Sequence, residues 1–220
     1  MKFAVALLLV ALPLSAQNWK GELIASTDLL KAGEYEKALS IDDRIVAQMV
    51  EFIGAGTAEM ATFALVLTHK AVALQGLGRT DDALWYWHEA LSLHPSFATA
   101  DFTPFGAPGE FLKAHPIEPL HVSLDAAAGK VKAPTLVKRV EPRYPASARA
   151  LHESGAIVVE SLIDTNGVIR DARVLKATDA PVLAHCALEA LRQWRFHPGT
   201  QDGKPVDVIF NITINFKLYR

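Results

Sequence analysis

The chain has 220 residues, half of them hydrophobic, and a formal net charge of −2. This length suits one large domain or two small ones. The charge is close to neutral and no basic stripe is present, which argues against proteins that bind nucleic acid or anionic membranes electrostatically. Cys186 is the single cysteine, which excludes an internal disulfide bond. We expect it to be buried as a small apolar residue.

Residues 1–16 have the features of a secretory signal peptide. Lys2 supplies the positive charge, residues 3–14 form an apolar run, and Ala16 offers a small residue for cleavage. The run is shorter than the roughly 20 residues that span a bilayer as a helix. We therefore predict that residues 1–16 are removed and that the mature protein begins at Gln17.

Residues 17–98 carry apolar residues every three or four positions, which is typical of amphipathic helices. Glycine-containing breaks divide this region into four helices, and the breaks lie at 32–34, 54–57 and 76–79. The second helix pair resembles a tetratricopeptide repeat in the spacing of Gly78, Ala83, Trp87, Ala90 and Pro95. We predict two degenerate repeats. Because fewer than about three repeats are marginally stable, we expect further packing against the linker or a partner.

A proline-rich linker is predicted at residues 99–133. Eight of the twelve prolines fall between Pro95 and Pro145, and regular structure is hard to maintain at this density. The first half of the linker contains large apolar residues that should pack on the helical domain, namely Phe102, Phe105, Phe111 and Leu112. The second half, around 125–130, has the composition of an exposed tether.

The strongest predicted element is a strand near the C-terminal end, residues 206–216. Every second position is apolar: Val206, Val208, Phe210, Ile212, Ile214 and Phe216. The positions between them are polar, with Ile209 as the exception. Because side chains of a strand alternate between its two faces, this pattern predicts a half-buried strand with one apolar face.

The elements before this strand complete a small domain. Asn166-Gly167 predicts a hairpin turn between strands at 156–163 and 168–175. A helix should follow, from about Thr178 to the stop signal His197-Pro198-Gly199, and a short helix precedes the first strand. The predicted order is α-β-β-α-β, with an antiparallel sheet. The fold class is α+β: an N-terminal all-α helical-repeat domain and this C-terminal domain.

Motifs in this order resemble those of the TonB C-terminal domain. They are Tyr144-Pro145 with Ala148-Arg149, Gly155 to Val159, Asn166-Gly167-Val168, Trp194 to Gly199, and Gly203 to Val206. The resemblance covers residues 134–220. It marks a set of fold-motif residues: Tyr144, Pro145, Gly167, Trp194, Phe196 and Pro198.

The resemblance implies a periplasmic module in the cell-envelope transport of a Gram-negative cell. Such domains bind an extended segment of an outer-membrane receptor by adding it to the last strand. The partner-facing residues would then be Ile209, Asn211, Thr213 and Asn215, together with their backbone. Family members that transduce energy keep an uncleaved N-terminal membrane helix, whereas this chain has a predicted signal peptide and helical repeats. If residues 1–16 stay attached, the protein would associate with the inner membrane.

An alternative is a tetratricopeptide-type scaffold or adaptor without an energy-transducing role. The sequence does not identify the partner or the cargo, and it leaves open whether the protein forms a homodimer. An enzyme is not expected, and neither is a cofactor or metal, since the histidines lack metal-ligand spacing and adjacent His185 and Cys186 do not share a helix face. The acidic pairs Asp42-Asp43 and Asp81-Asp82 are interpreted as solvated or capping residues.

Overall fold

The computed structural model describes residues 19–52, 57–122, 130–177 and 181–218. The predicted signal peptide, most of the predicted tether and the start of the predicted second helix of the C-terminal domain lie outside these ranges. The fold class is α+β, as predicted, with a helical N-terminal part and antiparallel sheets in the C-terminal part. No helix within the described ranges combines the length and apolarity needed to cross a bilayer.

Four helices follow one another in the N-terminal part and each packs against the next. They are α1 (Trp19–Lys31), α2 (Tyr35–Phe52), α3 (Thr57–Gly76) and α4 (Thr80–Leu93). Gly33 and Gly78 follow α1 and α3 with φ of 75° and 73°, the left-handed conformation that commonly ends a helix. The four helices confirm the predicted pattern, while their identity as tetratricopeptide repeats stays a prediction.

The segment after α4 packs on these helices, as its aromatic residues predicted. Two 3₁₀ turns, Pro95–Thr99 and Thr103–Phe105, lead into α5 (Gly106–Lys113), which contacts α3. Phe102 is fully buried, with its ring edge-on to Trp87 at 5.2 Å. The indole Nε1 of Trp87 donates to the His115 carbonyl at 2.8 Å. We call α1 to α5 with these turns the helical unit.

The C-terminal unit is built on a three-stranded antiparallel sheet in the order β4-β3-β8. Its main elements are α6 (Ala146–Ala150), β3 (Gly155–Ile163), β4 (Ile169–Lys176), α7 (Pro181–Leu191) and β8 (Val208–Phe216). α7 packs on β3 and β4, and its residues Leu183, Ala187 and Leu191 are buried. The α-β-β-α-β order is therefore present.

The described part of the C-terminal unit has five further short strands, which form two small sheets: β1 (Val131–Lys132), β2 (Thr135–Lys138), β5 (Arg195–His197), β6 (Gly199–Gln201) and β7 (Lys204–Val206). β2 pairs with β5, and β6 lies between β1 and β7. The predicted helix up to His197 is wrong at its end, because the helix stops at Leu191 and β5 follows. Trp194 and Phe196 are buried while Arg195 and His197 are exposed, which is the two-residue period of a strand.

The predicted hairpin joins β3 and β4 through a turn stabilised by Asp164. The carboxylate Oδ1 of Asp164 accepts hydrogen bonds from the backbone N–H groups of Asn166 and Val168, both at 2.9 Å. Gly167 has φ of 75°, which favours glycine. A Cβ at this position would lie 1.8 Å from the carbonyl oxygen of Phe196. The turn thus requires glycine both for its backbone conformation and for the close approach of β5.

Candidate functional site

β8 forms one edge of the β4-β3-β8 sheet. It pairs with β3 along its whole length, from Val208 opposite Ile163 to Phe216 opposite Gly155. Among the described strands none pairs with its outer side. The other edge strand, β4, packs against α4 of the helical unit. Because an edge strand presents a row of unpaired backbone N–H and C=O groups, β8 offers such a row to a partner.

The predicted partner-facing residues lie together on one face of β8. Asn211, Thr213 and Asn215 are exposed, and Ile209 is half-buried. The alternate residues, Ile212, Ile214 and Phe216, are buried in the core. The predicted alternation is therefore confirmed, while contact of these residues with a partner stays a prediction.

Tyr144 packs against the end of β8, and Pro145 follows Tyr144 in the chain. The Tyr144 ring lies edge-on to Phe216 with 5.4 Å between ring centroids, and its hydroxyl donates to the Glu153 carbonyl. Pro145 is buried and immediately precedes α6. Both residues contact the protein's own core, so their position agrees with a role in the fold.

Trp194, Phe196 and Gly167 hold the segment after α7 against the rest of the C-terminal unit. The indole Nε1 of Trp194 donates to the Val140 carbonyl at 2.8 Å. The backbone N–H of Phe196 donates to the Gly167 carbonyl at 2.9 Å. Pro198 is half-buried between β5 and β6. These bonds fix the turn that leads towards β8.

Among the described residues, four acid–base pairs join the helical unit to the C-terminal unit. The pairs are Glu51 with Arg143, Asp82 with Arg192, His88 with Asp171, and Glu89 with His185. Sequence reasoning missed all of them, because the sequence contains no signal that pairs residues so far apart.

The interpretation of the acidic pairs as solvated or capping residues is wrong for buried Asp42 and incomplete for half-buried Asp82, while Asp43 and Asp81 are exposed as expected. Asp42 is fully buried and accepts a hydrogen bond from Ser26 at 2.6 Å. Burial raises the pKa of Asp42 to about 7, although the Ser26 bond lowers it. Asp43 pairs with Lys70 at 2.8 Å, and Asp82 pairs with Arg192.

A buried polar cluster lies where α4 meets α7. Oε1 of Glu89 lies 2.7 Å from Nδ1 of His185, and Glu189 follows one helical turn after His185. Ligand atoms of the three residues all lie within 4.8 Å of one another. The histidines were predicted to lack metal-ligand spacing, which is wrong for His185. Its i,i+4 spacing to Glu189 was the available signal.

The surroundings of His185 influence the charge of this cluster. Burial lowers the pKa of His185, but the charge of the Glu89 carboxylate and its hydrogen bond raise the pKa by more than burial lowers it. The pKa of His185 therefore lies above its usual value. Phe63 meets the imidazole edge-on at 5.2 Å and restricts its rotation. The neighbouring Cys186 is buried as predicted, and burial raises its pKa to about 12.

Residues 140–218 match the family described as Gram-negative bacterial TonB protein C-terminal. Similar proteins include Protein TonB of Vibrio cholerae serotype O1, 38% identical over 89 residues, which are 40% of this chain and 36% of that protein. Protein TonB of Escherichia coli K12 is 31% identical over 36% of this chain and 34% of its own length. Protein TonB of Klebsiella pneumoniae is 33% identical over 39% of this chain and 33% of its own length. The chain spans about a third of these relatives' length.

Proposed function

We propose, on the premise that residues 140–218 form a TonB C-terminal domain, that the chain binds an extended segment of a protein partner in cell-envelope transport. The partner adds a strand to the outer side of β8. Proteins similar to this domain are named Protein TonB, and an outer-membrane receptor is therefore the first partner to test. The protein acts in the periplasm.

One observation carries this proposal, namely that no described strand pairs with the outer side of β8. Strand addition draws its affinity from main-chain hydrogen bonds and its register from alternate side chains. β8 runs from Val208 to Phe216, which is long enough for several such bonds. Its apolar face is buried in the protein's own core, so the strand is already held in an extended conformation before a partner arrives.

The exposed face of β8 gives the added strand its register. Asn211, Thr213 and Asn215 are exposed and present two carboxamides and a hydroxyl, groups that can donate and accept hydrogen bonds with side chains of an added strand. Ile209 is half-buried and adds an apolar contact at the other end of the strand. This face favours a partner segment of mixed polar and apolar residues over a strongly charged one.

The test is a titration of the ¹⁵N-labelled chain, lacking the predicted signal peptide, with a synthetic peptide from the periplasmic segment of an outer-membrane receptor. We expect backbone amide shifts concentrated in residues 208–216. The matched control is the same peptide N-methylated at alternate residues on its bonding side, which keeps every side chain but removes the donors. Strand addition requires that this control bind at least about 10-fold more weakly, since each main-chain bond contributes roughly 0.5–1.5 kcal/mol.

The two candidate roles give different shift maps. Amide shifts confined to α1–α4, with β8 unchanged, would contradict strand addition and favour the tetratricopeptide-type scaffold. Equal affinity of the methylated and unmethylated peptides would also contradict the proposal, because affinity would then come from side chains alone.

A further inference from the structure

Glu89, His185 and Glu189 bring one imidazole and two carboxylates together at the contact between the two units. Their ligand atoms lie within 4.8 Å of one another. We propose that these three side chains bind a divalent transition-metal ion, with zinc as the best match. This inference does not depend on the proposed partner binding at β8, since it concerns α4 and α7 and not the sheet edge.

The donor set fits zinc by its chemistry. Three protein ligands drawn from histidine and carboxylates, with water in the fourth position, are a common zinc arrangement. Carboxylates alone would suit magnesium or calcium, whereas an imidazole nitrogen shifts the preference towards zinc and its neighbours. His185 and Glu189 also line a cleft of about 320 Å³, which gives an ion and its water a route from solvent.

Two carboxylate oxygens at this place lack a hydrogen-bond partner among the described residues. One is Oε2 of Glu89, whose side chain is 1% exposed, and the other is Oε1 of Glu189. A buried acceptor without a partner costs about 1–3 kcal/mol. A metal ion would satisfy both oxygens, which is the independent reason for assigning a ligand to the cluster.

The surrounding charges leave the cluster negative. Lys70 is the nearest lysine of the cleft, and it pairs with Asp43 at 2.8 Å. Arg192 also interacts electrostatically with Glu189, but its ion pair is with Asp82. Arg143 also lines the cleft and pairs with Glu51, so each of these three cations has a carboxylate of its own. Glu89 and Glu189 together carry two negative charges beside one imidazole, and a divalent cation would balance them.

Metal binding requires a small rearrangement. Oε1 of Glu89 lies 2.7 Å from Nδ1 of His185, a hydrogen-bond distance, whereas an ion held by this Nδ1 and by Oε2 of Glu89 needs its two ligand atoms about 3.4 Å apart if each bond is about 2.1 Å. The ion thus displaces the proton that the pair shares and moves the side chains slightly apart. Because Glu89 lies on α4 and the other ligands lie on α7, the bound ion would clamp the two units together.

The test is calorimetric titration of the metal-stripped chain, lacking the predicted signal peptide, with zinc chloride, and a parallel titration with cobalt(II). We expect one equivalent of zinc to bind and cobalt to give the intense visible bands of a four-coordinate site. Glu189→Gln and Glu89→Gln should weaken zinc binding by more than the roughly 10–100-fold that loss of an outer-shell partner costs.

The controls are Glu110→Gln and His121→Gln, two exposed positions outside the cluster, which should bind zinc as the unchanged chain does. Circular dichroism and urea unfolding establish that each variant folds. Because Glu189 is half-buried and Glu89 is fully buried, Glu189→Gln should destabilise the fold less than Glu89→Gln. The proposal is overturned if the chain binds no zinc, if both ligand variants retain its affinity, or if His121→Gln removes the binding.

Discussion

The outer edge of β8 and the contact between the two units depend on different kinds of interaction. β8 owes its position to an alternation of apolar residues within nine consecutive positions, and its free side consists of backbone groups. The contact between the units joins residues 83 to 110 positions apart through acidic and basic side chains, three of which, His88, Glu89 and His185, are buried. The edge should therefore tolerate side-chain changes on its outer face, whereas the contact should fail when one charge loses its partner.

The largest expected effect is at the contact. Glu89→Ala removes the partner of buried His185 and should lower the free energy of unfolding by about 3–5 kcal/mol, because an uncompensated polar group stays buried. Urea unfolding of the chain measures this loss. Glu110→Ala, at an exposed position on α5, should change stability by less than about 0.5 kcal/mol. A loss below about 1 kcal/mol for Glu89→Ala would mean that the pair does not hold the units together.

Two neighbouring positions on β8 test the difference between its faces. Ile214→Ala removes a side chain that is 2% exposed and should cost about 2–5 kcal/mol. Thr213→Ala, one residue earlier on the exposed face, should stay within about 0.5 kcal/mol. It should also change peptide affinity by no more than a few-fold, since backbone bonds supply the affinity. Similar stability losses for both variants would contradict the assignment of the two faces.

A buried carboxylate inside the helical unit offers a comparison with those at the contact. The pKa of Asp42 is raised to about 7, so between about pH 4 and pH 7 the folded protein holds a proton that the unfolded chain releases. Stability from this proton is present at low pH and is lost as the pH rises to 7. Asp42→Asn, which keeps an acceptor for Ser26, should therefore gain stability relative to the unchanged chain.

The gain of Asp42→Asn should grow by about 1.4 kcal/mol per pH unit across that window and level off above pH 7. Taking the difference between the two proteins at each pH cancels the opposite trend from His69. Burial lowers the pKa of His69 to about 4. The stability that neutral His69 contributes to the folded protein is therefore lost as the pH falls from 6.5 towards 4. Urea unfolding at pH 5, 6, 7 and 8 is the measurement. A difference that does not change with pH would show that Asp42 is ionised throughout.

The smallest effect is expected at the exposed rim of the contact. Arg143 pairs with Glu51, and their side chains are 62% and 25% exposed. Solvent screening limits such pairs, so a double-mutant cycle with Arg143→Ala and Glu51→Ala should give a coupling free energy of about 0.2–1 kcal/mol. A coupling above 2 kcal/mol would place the strength of the contact at its rim instead of in the Glu89–His185 pair.

Local patterns in the sequence predicted the elements of the fold that depend on near neighbours. The alternation from Val208 to Phe216 gave the half-buried strand, although the predicted strand began two residues too early because Val206 belongs to β7. Asn166-Gly167 gave the hairpin. The same local reasoning placed Phe102 on the helical domain. Each of these inferences needs only the period of a helix or strand, or the backbone freedom of glycine, and these act within a few residues.

The remaining features depend on contacts that local patterns do not encode. The helix after the hairpin ends at Leu191 because the next residues bond to the turn at Gly167 and to Val140, which lie far back in the sequence. The strands β1 and β2 form in a proline-rich stretch because β6 and β5 pair with them. Glu89 joins His185 across 96 positions for the same reason.

Amide hydrogen exchange of the chain, with and without a saturating receptor-derived peptide, tests strand addition at β8 most directly. If the added strand bonds to the outer edge, the alternate amides of residues 208–216 that point away from β3 should become protected, while those already bonded to β3 change little. Unchanged exchange at those outer amides, with the peptide bound and protection appearing in α1 to α4 instead, would contradict the account.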